Sequence, residues 1–403
     1  MEKSRLGFDV IIVGGGIVGV TLAACLKNTG LRLAIVEAQP LDVVTQRQRA
    51  YAMSLLSQRI FQDLGVWEAI AHRSGHYRQI QLSDENFSGV VKFVRQDLQR
   101  DFLGFSGQHQ VILETLQASL RGHDNIHWFC PAQVTEIHYE QDQATVELSS
   151  ETQGEMTLQG ALVVGADGPR SLVRRGAGIQ TKGWQYGQSC VTCVVEHEAP
   201  RNDVAFERFW GTGPMGVLPL TDNRCQIVWT NPHAEAQRLK ELPPEVFLQR
   251  LEQHTGPQLG RLKLMGDRQV FPVQLMQGDR YVGHRLALVG DAAHCCHPVG
   301  GQGLNLGLRD AAALAETLIA AQQKGQDLGR LSVLKHYERW RQGENLVILG
   351  FTDFLNRLFS NRILPIVWLR RLGLIFLAKF NPFRLFALKL MTGQKGRQPR
   401  ILA

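Results

Sequence analysis

From Arg357 to its C-terminus the sequence has no Asp or Glu. Ten basic residues stand there instead: Arg357, Arg362, Arg370, Arg371, Lys379, Arg384, Lys389, Lys395, Arg397 and Arg400. The whole chain carries a formal charge of +7, so residues 1–356 are net −3. A nucleic-acid-binding globule is disfavoured, because its body would be basic and this one is mildly acidic. No run free of charged side chains exceeds 17 residues, the length of Val10–Leu26. A membrane span needs about 20 apolar residues, and this run holds four glycines. No targeting segment is visible. Cysteine is sparse and odd in number, seven in 403 residues. That is no disulfide framework, and a reducing compartment follows. Internal repeats, a Ser/Pro-rich linker, a catalytic triad and paired carboxylates are also missing.

What is present describes an ordinary globule. The length allows two or three domains with ample core. The 40 glycines are clustered, which marks tight turns rather than low complexity. Residues 8–13 read as a buried parallel strand, Ile17–Asn28 as a helix ended near Gly30, and Leu31–Glu37 as a second strand. Helical spacing recurs at 54–64 and 110–121, a hairpin at 132–149, and a short strand at Leu162–Val164. Residues 188–197, 203–210, 215–220 and 224–231 read as short strands, and Pro243–His254 as a helix. A buried strand returns at Arg285–Val289, followed by glycines and a helix over about 304–323. Residues 331–358 read as a long amphipathic helix. Strand–glycine–helix therefore brackets a β-rich insertion.

Three motifs carry chemistry. The first is Gly14-x-Gly16-x-x-Gly19 between strand and helix, with Glu37 ending the next strand. Gly14 permits the turn, Gly16 admits a pyrophosphate to the backbone, and Gly19 lets helix and strand pack closely. The helix N-terminus offers N–H groups and a positive dipole to phosphates. Glu37 can accept hydrogen bonds from ribose hydroxyls, which disfavours NADP as the resident dinucleotide and leaves NAD or FAD. The second is Gly290-Asp291 after a strand, running into the loop Pro298–Gly303. The third is Gly165-Ala-Asp167-Gly168-Pro-Arg170-Ser171. No second Gly-x-Gly-x-x-Gly follows a strand.

In this order the three motifs resemble those of flavoprotein aromatic-ring monooxygenases with one dinucleotide fold. Arg49-Ala-Tyr-Ala-Met-Ser, Leu64-Gly-Val-Trp67, Gly213-Pro-x-Gly-x-Leu-Pro219-Leu, Gly301-Gln-Gly-Leu-Asn-x-Gly-Leu-Arg-Asp310 and Tyr337-x-x-x-Arg341 narrow the likeness to the ubiquinone-biosynthesis ring hydroxylases (UbiH/UbiF-like). The resemblance implies an α/β fold: a Rossmann-like FAD-binding domain, an inserted β-sheet substrate domain and a C-terminal helical region. The boundaries implied are 1–75, 100–180 and 280–345 for the first, 76–99 and 181–279 for the second, and 346–403 for the third. It implies FAD as cofactor, NADPH or NADH as transient co-substrate, and O2. The cofactor contacts it implies are Gly14, Gly16, Ile17, Val18, Gly19, Glu37, Arg49, Gln110, Val134, Asp167, Gly290, Asp291, Gly303, Leu304 and Asn305. Pro298, Gly303 and Asn305 would line the reaction site, with Asp167 and Arg170 also serving NAD(P)H. Relatives often have Glu-x-Arg where this chain has Gln108-His-Gln110.

The flavin carries the hard chemistry. The protein must exclude water, hold an electron-rich ring and place N–H groups at the flavin edge. The expected substrate is a prenylated phenol or quinone precursor, so a lipid must be reached; the alternatives are a hydroxylase of a soluble phenol or secondary metabolite and a flavin-bound accessory subunit of a membrane quinone-biosynthesis complex. Trp368, Leu369, Leu372, Leu374, Ile375, Phe376, Leu377, Phe380, Phe383, Leu385 and Phe386 alternate with the tail cations. That composition suits an interfacial helix with snorkelling cations on an anionic membrane surface. The expected location is cytoplasmic, on the inner face of a membrane, with other quinone-biosynthesis proteins as further partners. The alternative is a helix packed on the body. On the membrane reading the tail is separable, and removal from Arg357 onward leaves a folded flavoprotein.

Other features have plainer readings. His294-Cys-Cys-His297 has four consecutive residues and no distant pair, so it is not expected to hold a metal. Cys190 and Cys193 should point to opposite faces of a strand. Trp210, Met215 and Trp229 either line a substrate cavity or fill a core. Arg170, Arg174 and Arg175 either attract phosphate or form a solvated helix face.

Overall fold

The computed structural model describes residues 5–152 and 154–400. The first sheet is built on five parallel strands, in spatial order Leu286–Leu288, Gly154–Gly165, Arg5–Val13, Leu33–Val36 and Ile126–Phe129. Their interiors are Val-, Ile- and Leu-rich, as strands covered on both faces must be. Helices Ile17–Leu26 and Gln302–Gln323 pack together over this sheet and share its core. The hairpin Gln133–Tyr139/Ala144–Ser150 extends it antiparallel to Gly154–Gly165. The expected short strand at Leu162–Val164 is thus the end of a 12-residue strand.

The second sheet has eight strands among the described residues. Its order is His294–Cys295, Leu262–Gly278, Thr181–His197, Arg224–Pro232, Gly213–Pro219, Val204–Trp210, Gln79–Asp84 and Val90–Val94. Two of them, Thr181–His197 and Leu262–Gly278, are 17 residues long and run antiparallel along much of their length. The second was not expected, because Gly266, Asp267, Arg268 and Pro272 interrupt its alternation. Helices His233–Glu241 and Pro244–Thr255 cover one face. Met215 and Trp229 are buried there with Phe247 and Leu251, and Trp210 packs at the margin. These residues fill a core and do not face the first sheet. Cys193 joins that core, while Cys190 bonds Thr230 at 3.2 Å.

The mixed α/β class is as expected, and the tail is helical: Leu331–Phe359, Leu364–Lys379 and Asn381–Met391. Its charge is used differently from the expectation. Five of the ten cations are ion-paired with carboxylates: Arg357 with Asp353, Arg370 and Arg371 with Asp84, Arg384 with Asp97, and Arg397 with Glu316. Arg370 and Asp84 are both buried and 2.9 Å apart. Leu374 and Leu388 are buried with Phe209, Phe359 and Val299. The tail is therefore a docked layer and not a detachable arm. Its outer side still exposes Trp368, Leu369, Leu372, Phe380, Phe383 and Phe386.

Candidate active site

Four adjacent strands end in one row. Val13 is level with Val36 on one side and Gly165 on the other, and Gly165 is level with Leu288. The carboxyl ends of parallel strands are where an open α/β sheet leaves a crevice. Here they deliver Gly14–Gly16, Glu37, Ala166–Gly168 and Gly290–Asp291 side by side.

Each glycine of the first motif has a separate job. Gly14 has φ +116°, and a Cβ there would lie 2.4 Å from the Ala166 carbonyl oxygen. Gly19 touches the same turn: its Cβ would lie 2.0 Å from the Gly14 oxygen. Gly16 differs. A Cβ there would meet nothing within 4 Å, and its backbone is extended (φ −76°, ψ 179°). Open space at the N-cap of a helix lacking any side-chain cap fits a phosphate-bearing ligand. Glu37 accepts from Gly15 N at 2.8 Å and Gln39 N at 2.9 Å, which fixes its carboxylate at the crevice. Ile17 is buried at the helix start, and Val18 packs between Gly290 and Gly307.

Asp291 is exposed to solvent, yet protein surrounds it. Burial pushes its carboxyl above the usual range, Arg49 and His294 oppose that, and Asp310 adds to it. Arg49 lies near enough to act on Asp291 and sits over the rings of Phe271 at 4.6 Å and Tyr51 at 5.4 Å. The third motif also faces the crevice. Asp167 Oδ2 accepts from Leu172 N and Val173 N, at 2.7 and 3.2 Å, while Oδ1 is buried without a partner among the described residues. Arg174 is buried, donating to the Ala292 and Pro169 carbonyls at 2.8 Å. It ties the third motif to the second and is not free for phosphate; Arg170 and Arg175 are exposed.

The loop after Pro298 turns tightly, with Gly300 and Gly301 at φ +69° and +62°. Gly301 caps helix Gln302–Gln323 without a side chain. The first-turn N–H groups, Gly303 and Leu304 included, have no intrahelical acceptor. They and the dipole can stabilise negative charge on a bound ring. Asn305 is different from the expectation. Its amide donates to Ala52 O at 2.7 Å and Gly301 O at 2.8 Å, and its oxygen accepts from Ser54 N and Ser57 Oγ, at 2.8 and 2.6 Å. The side chain is a brace between the helix and residues 52–57, not a reacting group. Two more expected contacts are engaged elsewhere. Gln110 is exposed and donates to Glu114 at 2.7 Å. Val134 lies in the hydrophobic core.

Asp310 organises the site from below. It accepts from His294 Nε2 at 2.5 Å, Arg341 Nε at 2.8 Å, Asn345 Nδ2 at 3.0 Å and Gly290 N at 3.1 Å. Burial opposes its charge, but His294 and Arg341 outweigh that and hold the carboxyl at about 2. Tyr337 Oη donates to Leu288 O at 2.6 Å. The Tyr337-x-x-x-Arg341 motif therefore clamps the Gly290 turn to Asp310, a link that separate motifs do not reveal. His109 was also missed. It bonds Tyr51 Oη at 3.0 Å and the Val44 carbonyl at 2.9 Å, and burial lowers its pKa to about 4. His297 sits apart from His294, its Nδ1 accepting from Val299 N at 3.2 Å. Among the described residues no three His, Cys, Asp or Glu side chains could share a metal ion.

Comparison with known proteins gives the same picture. The FAD binding domain family model (FAD_binding_3) matches residues 7–344. An uncharacterised protein of Synechocystis, slr1300, is 52% identical, the match covering 98% of this chain and 95% of that one. Ubiquinone hydroxylase UbiL of Rhodospirillum rubrum is 37% identical over 97% of this chain and 91% of its own. Among solved structures, p-nitrophenol 4-monooxygenase PnpA of Pseudomonas putida superposes with a TM-score of 0.81. It covers 97% of this chain and all of that one at 20% identity, a likeness of fold alone.

Proposed function

Because the chain belongs to the FAD-binding monooxygenase family that includes the ubiquinone-biosynthesis hydroxylases, we propose that it hydroxylates the aromatic head group of a polyprenylated quinone precursor. O2 supplies the oxygen and NADPH or NADH the electrons. The observation that carries this reading is the row of four strand ends facing the cap-free helix at Gly301. FAD fits that row. Gly16 leaves room for the pyrophosphate, Glu37 takes the adenosine ribose, and Asp291 with Arg49 takes the ribityl–pyrophosphate region. When bound, the reduced flavin activates O2 for transfer to a ring. The chain's own part is to orient that ring under the second sheet, exclude water, and offer the N–H groups of Gly303 and Leu304 to developing negative charge.

The tail supports a lipid-linked substrate. No helix among the described residues is long and apolar enough to cross a membrane. The outer faces of Leu364–Lys379 and Asn381–Met391 instead expose a run of aromatic and aliphatic side chains, and among the described residues Arg362, Lys379 and Lys389 form no ion pair. Such a face binds at the headgroup level of a membrane, peripherally and on the side where the soluble co-substrates are. The inner face of the same helices covers Val299, beside the reaction loop.

The test is direct. Purified protein is supplied with NADPH or NADH, O2 and a short-chain prenylphenol. Substrate-stimulated oxidation and a product heavier by one oxygen are expected. Bound flavin with neither outcome, using an alternative electron donor as well, identifies an accessory subunit instead. Turnover of an unprenylated phenol at equal efficiency identifies a soluble-phenol hydroxylase.

A further inference from the structure

One titratable group near the reaction loop is not used by any of the flavin motifs. Glu207 lies on strand Val204–Trp210 of the second sheet. Strand alternation sends Phe206 and Trp210 to the helix-covered face, where they pack on its core. Ala205 and Phe209 lie on the other face, in a cluster with Val299 and the tail residues Leu374 and Leu388. Glu207 interrupts that apolar wall. Its Oε2 accepts from Gly300 N at 3.3 Å. Its Oε1 takes no hydrogen bond from the described residues, and the side chain keeps accessible surface.

Among the described residues no cation pairs with it, and the cation nearest by its effect is Arg49, which acts on Cys190 as Glu207 does. Gly216, on Gly213–Pro219, and Val228, on Arg224–Pro232, lie beside it. Cys190 on Thr181–His197 is the ionisable side chain that feels its charge. His297 turns Nδ1 to Val299, and Asp84 on the neighbouring strand is held by Arg370 and Arg371. From the tail, Met391 reaches Gly300. An unpaired carboxyl in such a wall costs stability, and an apolar residue would pack better there. Burial pushes Glu207 up to about 7, with the Gly300 N–H opposing. A general base is most effective when poised near the working pH.

We propose that Glu207 is the acid–base residue for the ring substrate, its free Oε1 holding the phenolic hydroxyl of the head group. The assignment rests on the ring-hydroxylase reading above. As the ring attacks the activated oxygen, the substrate O–H bond breaks and its proton passes to Oε1. The O–H electron pair moves into the ring and a carbon–oxygen double bond forms. The ring carbon gains a hydroxyl as the O–O bond of the activated dioxygen breaks; the ring is oxidised by two electrons, the transferred oxygen is reduced by two, and the other oxygen leaves as water with a proton from solvent. The reacting carbon then releases its proton to solvent. Glu207 returns its own proton to the carbonyl oxygen, and aromaticity is restored.

The experiment uses FAD-loaded wild type, Glu207→Gln and Glu207→Asp with a short-chain prenylphenol and NADPH, from pH 5.5 to 9. Glutamine keeps an acceptor for Gly300 N, so flavin content and thermal midpoint should match wild type. Its kcat for oxygenated product should fall roughly 10²–10⁴-fold, with KM little changed and NADPH oxidation uncoupled from product. In wild type kcat/KM should decline below about pH 7; Glu207→Asp should keep that limb and Glu207→Gln should lose it. Wild-type kcat and an unchanged acid limb in Glu207→Gln would overturn the assignment, as would loss of FAD from that variant, which marks a structural role. Absence of oxygenated product from wild type would overturn the hydroxylase reading together with it.

Discussion

Gly16→Val separates cofactor binding from folding more cleanly than any other change in the first motif. The backbone at Gly16 is extended, so a side chain meets no conformational penalty there. Its Cβ would find nothing within 4 Å of protein. Glycine is preferred to valine at an N-cap, so the exchange itself costs about 1 kcal/mol in the absence of ligand. The unliganded protein should therefore lose no more than about 1 kcal/mol. The added carbons would instead occupy the space a pyrophosphate needs, and overpacking of that kind costs about 1–3 kcal/mol. Flavin affinity should fall roughly 10- to 100-fold. The assay is flavin-to-protein absorbance after gel filtration, then titration of apoprotein with FAD, with urea unfolding of the apoproteins alongside. Unchanged FAD affinity in Gly16→Val would refute the cofactor placement. An apoprotein that unfolds much earlier would refute the claim that the space at Gly16 belongs to the ligand.

The neighbouring glycine should behave in the opposite way. Gly19→Ala drives a Cβ to 2.0 Å from the Gly14 oxygen, so apoprotein stability should drop by about 1–3 kcal/mol, read as a lower urea midpoint. Asp310→Asn removes the buried one of Arg341's two carboxylate partners, leaving Glu344, and should cost about 3 kcal/mol, with the loss visible in thermal unfolding. The folded pKa of Asp310, about 2, lies below its unfolded value near 3.9. Its contribution is thus fully present above about pH 4 and disappears as pH falls through about 2. The gap between wild type and Asp310→Asn should narrow over that window, and a gap independent of pH would contradict the network. Trp368→Glu combined with Phe383→Glu changes only exposed side chains. Sedimentation with anionic liposomes should weaken roughly tenfold or more while flavin content stays constant. Equal sedimentation would leave the outer tail face without a membrane role.

Local pattern and long-range contact contributed differently to what could be read from the residues. The strand–Gly14–helix–strand–Glu37 unit is legible because turn chemistry, apolar periodicity and the acid at the strand end all act within about 30 residues. The tail's excess of positive charge is legible for the same reason, being a property of composition. The strand Leu262–Gly278 is not, since pairing with Thr181–His197 overrides the glycine and proline that break its pattern.

The sequence by itself determined the dinucleotide turn, the order of the three motifs and the family they resemble. Only the tertiary structure decided what each polar side chain does. Asn305 is spent on bracing Ala52 and Ser54, and Arg174 on tying two loops. Half of the tail's cations pair with acids, among them Asp84, 286 residues away from Arg370. Glu207 is left with a free oxygen at the reaction loop. The physical reason is that hydrogen bonds and ion pairs are satisfied by whatever the fold brings within about 3 Å, and sequence spacing does not encode that distance.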